Sequence, residues 1–390
     1  MADELRRSLA TETARSLPGI VAVATGPTGP LFEGATGSAR VGENAPLHLD
    51  SLLAIQSATK PLVAAAALQA VEDGEIDLDA PARMYAPELG ELRVLTGFAS
   101  DRGLLLREPV REVTVRMLML HTSGFAYDMF NEDYRELVGR GAAVPASAGR
   151  RESLDVPLVF EPGTRWEYGL GIDWLGVILE RVEGARLDEV VRRRVLEPLG
   201  MSDTGFSPAE RLVQRFASVH VREDNGSLRA TGMLRPKDRA MDMGGTGMYS
   251  TALDYAKFVA AWLNDGEGEF GRFLTADTIA MASENGLGRL KVGPLPSFEP
   301  NLARPFDFLY PETTKSWALS FMITDGPTVS GRSPGTLSWT GLANTYFWID
   351  RSARIGGFWA CNLLPLGEHA AWSAYLDFES AVYSTLAPSR

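Results

Sequence analysis

The chain has 390 residues, 38 basic and 50 acidic, for a formal charge of −12, and 45% of it is hydrophobic, enough to bury a substantial core without covalent staples. A single cysteine, Cys361, and four histidines that never pair at ligand spacing (His48, His121, His220, His369) argue against an intrachain disulfide and a metal site. The acidic balance argues against nucleic acid or an anionic membrane as partner, and no apolar run approaches the ~18 residues needed to cross a bilayer.

At about 150 residues per domain, the length suits two or three domains, or one large domain with an insertion. Met1 to Leu17 mixes acidic and basic residues with leucines. Its pattern is neither secretory nor transit-like, so a cytoplasmic protein is expected. Leu5, Leu9 and Leu17 predict an amphipathic opening helix. Ile20 to Thr25 reads as a strand, Gly26-Pro27-Thr28-Gly29-Pro30 as a turn, and Leu31 to Arg40 as a weaker returning strand. Leu62 to Val71 is a dense Ala/Leu/Val helix ending near Gly74. From about 85 to 240 the texture is helical and loop-rich, with helices at Val113 to Leu120, Gly171 to Glu183 and Leu187 to Leu196. The last of these carries Arg192-Arg193-Arg194, read as a solvated helix end. Asp254 to Leu263 is one further helix. A Pro-rich loop, Gly286 to Pro311, follows, free either to shape a pocket or to form an interface. Runs at Trp317 to Thr324, Gly335 to Leu342, Thr345 to Ile349 and Ile355 to Leu363 predict an antiparallel sheet. A helix from Ala370 to Leu386 closes the chain. Strands at both ends with helices between them suggest one sheet assembled from both termini.

The residues that point to chemistry are few. No His-Glu-x-x-His or phosphate-binding Gly-x-x-x-x-Gly-Lys-Ser/Thr occurs, and no Gly-x-Gly-x-x-Gly opens a βαβ unit. Gly244-Gly245-Thr246-Gly247 reads instead as a tight turn that could border a site. Ser57-Ala58-Thr59-Lys60-Pro61 stands directly before the apolar helix. Proline has no N–H to donate, so Pro61 belongs in the first turn and Ser57 at or near the helix start. Residues three apart share a helix face, which lets Ser57 meet Lys60. A serine hydroxyl becomes a useful nucleophile once a base accepts its proton, and a buried, neutral lysine can be that base. Only five basic residues are lysines (Lys60, Lys237, Lys257, Lys291, Lys315) and the other 33 are arginines, which cannot lose a proton. A lysine at this position is therefore a specific choice. Taken alone, the segment also fits a serine helix cap beside a solvated lysine.

Five segments in order extend the pattern: Ser57-Ala58-Thr59-Lys60; Leu118-Met119-Leu120-His121-Thr122-Ser123-Gly124; Glu161-Pro162-Gly163-Thr164-Arg165-Trp166-Glu167-Tyr168; Gly245-Thr246-Gly247-Met248-Tyr249-Ser250-Thr251; and Trp339-Thr340-Gly341. Together, over nearly the whole chain, they resemble the serine hydrolases of the class C β-lactamase and penicillin-binding-protein superfamily, and within it the family VIII carboxylesterases.

The resemblance implies a mixed α/β (α+β) fold of β-lactamase/transpeptidase type, an antiparallel sheet flanked by helices plus a helical subdomain. It would form a single domain, with an α/β part at about 1–85 and 245–390 and a helical insertion at about 86–244. Ser57 would be the acylated nucleophile and Lys60 its activating amine. Tyr168 would be a catalytic tyrosine whose phenolate, stabilised beside Lys60, relays protons. The backbone N–H groups of Ser57 and Leu342 would form an oxyanion hole. Trp339, Thr340 and Gly341 would line the substrate pocket, and His121 would be structural. The β-lactamases carry Tyr-x-Asn where this chain has Tyr168-Gly169-Leu170, and a lysine at the Trp339 position. Both departures favour a small, uncharged, short-chain carboxylic ester over a charged bicyclic amide. The expectation is an esterase without metal or cofactor, acting on a small-molecule ester, with a homo-oligomer left open. The alternatives are a β-lactamase or other amide hydrolase, an acyltransferase, and a catalytically silent acyl-binding protein.

Overall fold

In the computed structural model, which describes all residues except 1–4, 8, 12–15, 101–102, 235–239 and 387–390, both ends of the chain enter one seven-stranded sheet. Its strands are β1 (Gly19–Gly26), β2 (Gly29–Gly37), β3 (Lys315–Ala318), β4 (Phe321–Thr324), β5 (Thr336–Gly341), β6 (Thr345–Asp350) and β7 (Ile355–Ala360). They run in the order β2-β1-β7-β6-β5-β4-β3, and every neighbouring pair is antiparallel.

Every residue of β1, β5, β6 and β7 is buried, so the sheet is covered on both faces. Alternation along a strand sends successive side chains to opposite faces. Phe347 and Phe358 meet Tyr255 of helix α3 (Ala252–Leu263) on one face, with ring centroids 5.2 and 5.0 Å apart. On the other face Tyr346 and Trp348 meet Tyr375 of helix α4 (His369–Thr385), at 4.4 and 6.1 Å. The same helix buries a polar knot the sequence did not suggest: Arg332 donates to Glu379 and Tyr375, and Tyr310 donates to Glu379.

Helix α1 (Lys60–Glu72) lies in the interior against helix α2 (Gly171–Glu183). A helix buried on nearly all sides needs small side chains where neighbours approach, and Ala64 to Ala67 supply them. Pro61 occupies its first turn, as expected, and the chain leaves through Gly74 at φ +74°.

Strands β1, β5 and β6, helices α2 and α3, and the closing helix match the sequence reading closely. Other elements correct it. Trp317 to Thr324 is a tight hairpin rather than one strand, because Ser320 takes a left-handed φ of +78° between β3 and β4. Ile355 to Leu363 divides likewise: β7 stops at Ala360, and Leu363–Leu364 pairs in parallel with His220–Val221. The helical stretch also contains two hairpins, Val94–Phe98 with Leu104–Arg107 and His220–Arg222 with Leu228–Ala230. Arg194 is not a solvated helix end: it is 12% exposed and pairs with Asp73, Glu75 and Glu183. Leu5 and Leu9 are buried in helical turns, and residues 1–4, 8 and 12–15 of the expected opening helix lie outside the described residues. Among the described residues, no helix is long and apolar enough to cross a membrane.

Candidate active site

Ser57 lies in a single 3₁₀ turn, Gln56–Thr59, that runs directly into α1. Two flanking contacts fix this turn. Leu53–Ala54 pairs with Tyr249–Ser250, which brings the Gly244–Gly247 turn alongside. The end of β5 packs backbone to backbone on the residues before Ser57. A side chain on Gly341 would place its Cβ 2.3 Å from the Ile55 carbonyl oxygen, so only glycine permits the approach.

Lys60 is completely buried. Its Nζ lies 3.1 Å from Ser57 Oγ and donates to the Gly245 carbonyl oxygen at 2.6 Å. Burial lowers the Lys60 pKa from 10.5 to about 7, against the opposing pull of the Asp173 carboxylate. A neutral amine has two N–H groups and one lone pair. A carbonyl oxygen only accepts, so the Gly245 contact commits an N–H and leaves the lone pair available to the Ser57 hydroxyl.

Tyr168 is buried across the cavity, its ring centroid 4.6 Å from Lys60 Nζ. Its hydroxyl accepts from Trp339 Nε1 at 3.1 Å and is also hydrogen-bonded to Ser57. Burial pushes the phenol above its ordinary range, and the hydrogen bonds from Ser57 and Trp339 only partly offset this. The expected phenolate is therefore corrected. Burial favours the uncharged form of both groups, the free amine of Lys60 and the phenol of Tyr168.

Ser57, Tyr168, Trp339, Thr340 and Leu342 all line one cavity of about 430 Å³. Gly341, at the end of β5, supports its wall. The Thr340 hydroxyl donates to the Thr345 carbonyl oxygen within the sheet. The Pro-rich loop sends Glu299, Leu302 and Phe306 into the cavity. Phe306 stacks on Trp339 with centroids 5.7 Å apart and planes at 29°. The loop thus shapes the pocket. Asp128, Asp173 and Glu299 line the cavity, and among the described residues no arginine does.

His121 stands behind Tyr168, ring centroids 4.8 Å apart, outside the cavity lining. Burial, with Lys60 adding to it, lowers its pKa well below the ordinary imidazole value. The sequence reading missed Asp173 and Tyr127. Asp173 sits in the first turn of α2, where an acidic residue is ordinarily explained by the helix dipole. Its signal was its setting, a carboxylate flanked by Ile172, Trp174 and Leu175. A Gly-x-Ser-x-Gly pentad, Gly331-Arg332-Ser333-Pro334-Gly335, also escaped that reading. Its Ser333 is buried ahead of β5, donates its backbone N–H to Asp350 and is not among the cavity-lining residues. Among the described residues, no group of three or more His, Cys, Asp or Glu side chains could hold a metal ion.

With this geometry in place, the comparisons with known proteins are specific. The Beta-lactamase family model matches residues 5–380. The chain is 32% identical to the lovastatin esterase of Penicillium rubens over 355 residues, 86% of each chain. It is 28% identical to the ML-236A carboxylate methylbutanoyltransferase of Penicillium citrinum, covering 95% of this chain and 91% of that one. Unliganded simvastatin synthase from Aspergillus terreus, as its selenomethionyl derivative, superposes with a TM-score of 0.85 at 26% identity, covering 98% of both chains. EstCE1, a hydrolase with promiscuous acyltransferase activity, shares the fold with a TM-score of 0.75 at 20% identity, covering 98% of this chain and 97% of that one. The chain belongs to the beta-lactamase family, within the penicillin-binding-protein-like superfamily of serine hydrolases and acyltransferases.

Proposed function

We propose that this protein is a serine carboxylesterase that cleaves small, uncharged, short-chain carboxylic esters through an acyl-Ser57 intermediate. The observation that carries the reading is the contact between Ser57 Oγ and Lys60 Nζ, an amine buried deeply enough to be half neutral near pH 7. Ser57 Oγ attacks the ester carbonyl carbon as its proton passes to Lys60. The backbone N–H groups of Ser57 and Leu342 hold the developing oxyanion. The bond to the leaving alcohol breaks, and that oxygen takes a proton from the Tyr168 hydroxyl, which Lys60 replenishes. Water then attacks the acyl group, again giving a proton to Lys60. The acid departs as Ser57 Oγ regains its proton.

The cavity supports the choice of substrate. It is largely apolar, its ionisable lining among the described residues beyond Tyr127 and Tyr168 is acidic, and an indole stands where a carboxylate-binding lysine would be needed for a β-lactam. A second reading, transfer of the acyl group to an alcohol, has its own support. The relatives include both an esterase and a methylbutanoyltransferase, and a cavity of about 430 Å³ leaves room for an acceptor beside a short acyl chain.

The test gives purified protein and Ser57→Ala p-nitrophenyl acetate, p-nitrophenyl butyrate and a chromogenic cephalosporin, with and without added alcohols. Ester turnover abolished in Ser57→Ala is expected. Fast cephalosporin turnover with negligible ester turnover would overturn the substrate assignment. Products that are mainly new esters would favour the transferase.

A further inference from the structure

One buried charge near the site has no part in the steps above. Asp173 is completely buried, and each of its oxygens accepts a hydrogen bond: Oδ1 from the Gly245 N–H at 2.8 Å and Oδ2 from the Tyr127 hydroxyl at 2.9 Å. Burial raises the Asp173 pKa above the ordinary carboxylate value, while Lys60, the Gly245 N–H and the Tyr127 hydroxyl pull it back; two donors, with no acceptor among the described residues, is the pattern of an ionised carboxylate. The Gly245 that donates to Asp173 also offers its carbonyl to Lys60 Nζ at 2.6 Å. The clamp leaves no space for a side chain. A Cβ on Gly245 would lie 2.5 Å from Asp173 Oδ2 and 2.6 Å from the Tyr127 hydroxyl.

We propose that Asp173 is a positioning residue for Lys60. Fixed by Tyr127 and Gly245, it holds the Gly245 carbonyl against Nζ and keeps the proton affinity of the amine high enough to accept a proton from Ser57. The assignment rests on reading Lys60 as the base.

The groups facing Lys60 make Asp173 the natural source of this control. Tyr127 and Tyr168 present their rings to Nζ, 5.1 and 4.6 Å from the centroids, and burial keeps both phenols neutral. His121, behind Tyr168, is held neutral by the same burial. Asp128 lies beside Tyr127 and its field acts on that phenol. Among the described residues, Asp173 is the carboxylate whose field is resolved at Lys60. Without it a buried amine would be a poorer base, shifted further from its ordinary range.

The readout is the acidic limb of kcat/KM for p-nitrophenyl butyrate, compared between the parent enzyme, Asp173→Asn and Lys60→Met. Asparagine keeps an acceptor for the Gly245 N–H and removes the charge. Asp173→Asn should move the limb to lower pH by about one unit and lower the plateau about tenfold, because a weaker base accepts the serine proton less readily. A merely structural role would lower activity or thermal stability and leave the limb in place. If Asp173→Asn does not fold, Asp173→Ser provides the same comparison with a smaller polar side chain. A folded variant whose limb coincides with the parent's, or moves upward, overturns the proposal. The two levels separate cleanly. Turnover retained in Lys60→Met would remove the base assignment itself. An inactive Lys60→Met with an unmoved limb in the Asp173 variant would remove only the role given to Asp173.

Discussion

The indole N–H of Trp339 donates to the hydroxyl of Tyr168 across 3.1 Å, joining β5 to the loop before α2 in the wall of the cavity that Ser57 also lines. Trp339 is therefore more than a cavity wall. It fixes the direction of the phenol that, in the proposed mechanism, hands a proton to the leaving alcohol. Trp339→Phe keeps the stack on Phe306 and removes the donor. Losing one neutral hydrogen bond costs about 1–1.5 kcal/mol, so kcat/KM for p-nitrophenyl butyrate should fall roughly 5–10-fold. Thermal unfolding of the same variant, little changed, would confirm that the loss is local.

Lys60 ties activity to pH with a definite sign. In the proposed mechanism acylation needs the neutral amine, so kcat/KM should rise with pH through about 7. A pH-rate profile on an uncharged ester reads this directly. A flat profile between pH 5.5 and 8.5 would exclude Lys60 as the titrating base (the range spans about 1.5 units either side of that pKa).

The same burial has a cost in stability. The unfolded chain holds the Lys60 proton up to the ordinary value of 10.5, and the folded chain holds it only up to about 7. Between these values unfolding takes up a proton, so this residue makes the fold less costly as pH rises from 7 towards 10.5. Below 7 both states carry the charge and the penalty is constant. Lys60→Met should therefore abolish turnover while raising stability at pH 7 by up to about 4 kcal/mol. Paired urea-unfolding curves at pH 7 and pH 9.5 would show the gain shrinking at the higher pH.

Gly341 controls the distance between the two strands of backbone that present Ser57 and Leu342. Its Cβ in Gly341→Ala would meet the Ile55 carbonyl oxygen at 2.3 Å, and backbone on both sides must move. Overpacking of this kind costs about 1–3 kcal/mol. Turnover should fall further than stability does, by more than about tenfold, because an oxyanion site tolerates little displacement. Differential scanning calorimetry and steady-state kinetics on the same preparation separate the two effects.

Phe306 tests the part of the Pro-rich loop that reaches the site. Its ring stacks on Trp339 and also meets Phe130 edge to face, with centroids 5.2 Å apart. Phe306→Ala should raise KM for p-nitrophenyl butyrate several-fold and leave kcat within about twofold, since the ring provides apolar contact rather than chemistry. An unchanged KM would place substrate elsewhere in the cavity.

How much of this was legible in the sequence follows from how local each signal is. Ser57 and Lys60 were visible because three residues of spacing, one proline and an apolar run fix their geometry within a single turn. Tyr168 needed the family resemblance, since nothing in Trp166-Glu167-Tyr168 says that its hydroxyl ends beside Ser57. Asp173, Tyr127 and Gly245 meet only through tertiary contacts, between positions 46 and 72 residues apart in the chain. Their pattern in one dimension is that of a helix-start acid, a core aromatic and a turn. The strand runs were legible from period-two burial and β-branched or aromatic content. The turn between β3 and β4 was not, because Leu319-Ser320 carries no glycine, proline or asparagine to announce a left-handed residue. The loop's role at Phe306 was hidden for a similar reason: a segment with almost no regular structure gives no periodicity to read.

The most direct test of the central claim is to trap the intermediate. The protein would be mixed with p-nitrophenyl butyrate, quenched in acid within the first turnovers, digested and read by mass spectrometry. A butyryl group on the peptide containing Ser57, absent from Ser57→Ala and formed faster as pH rises through about 7, is the result expected. Steady ester turnover with no acyl group on Ser57, or turnover undiminished in Ser57→Ala, would contradict it.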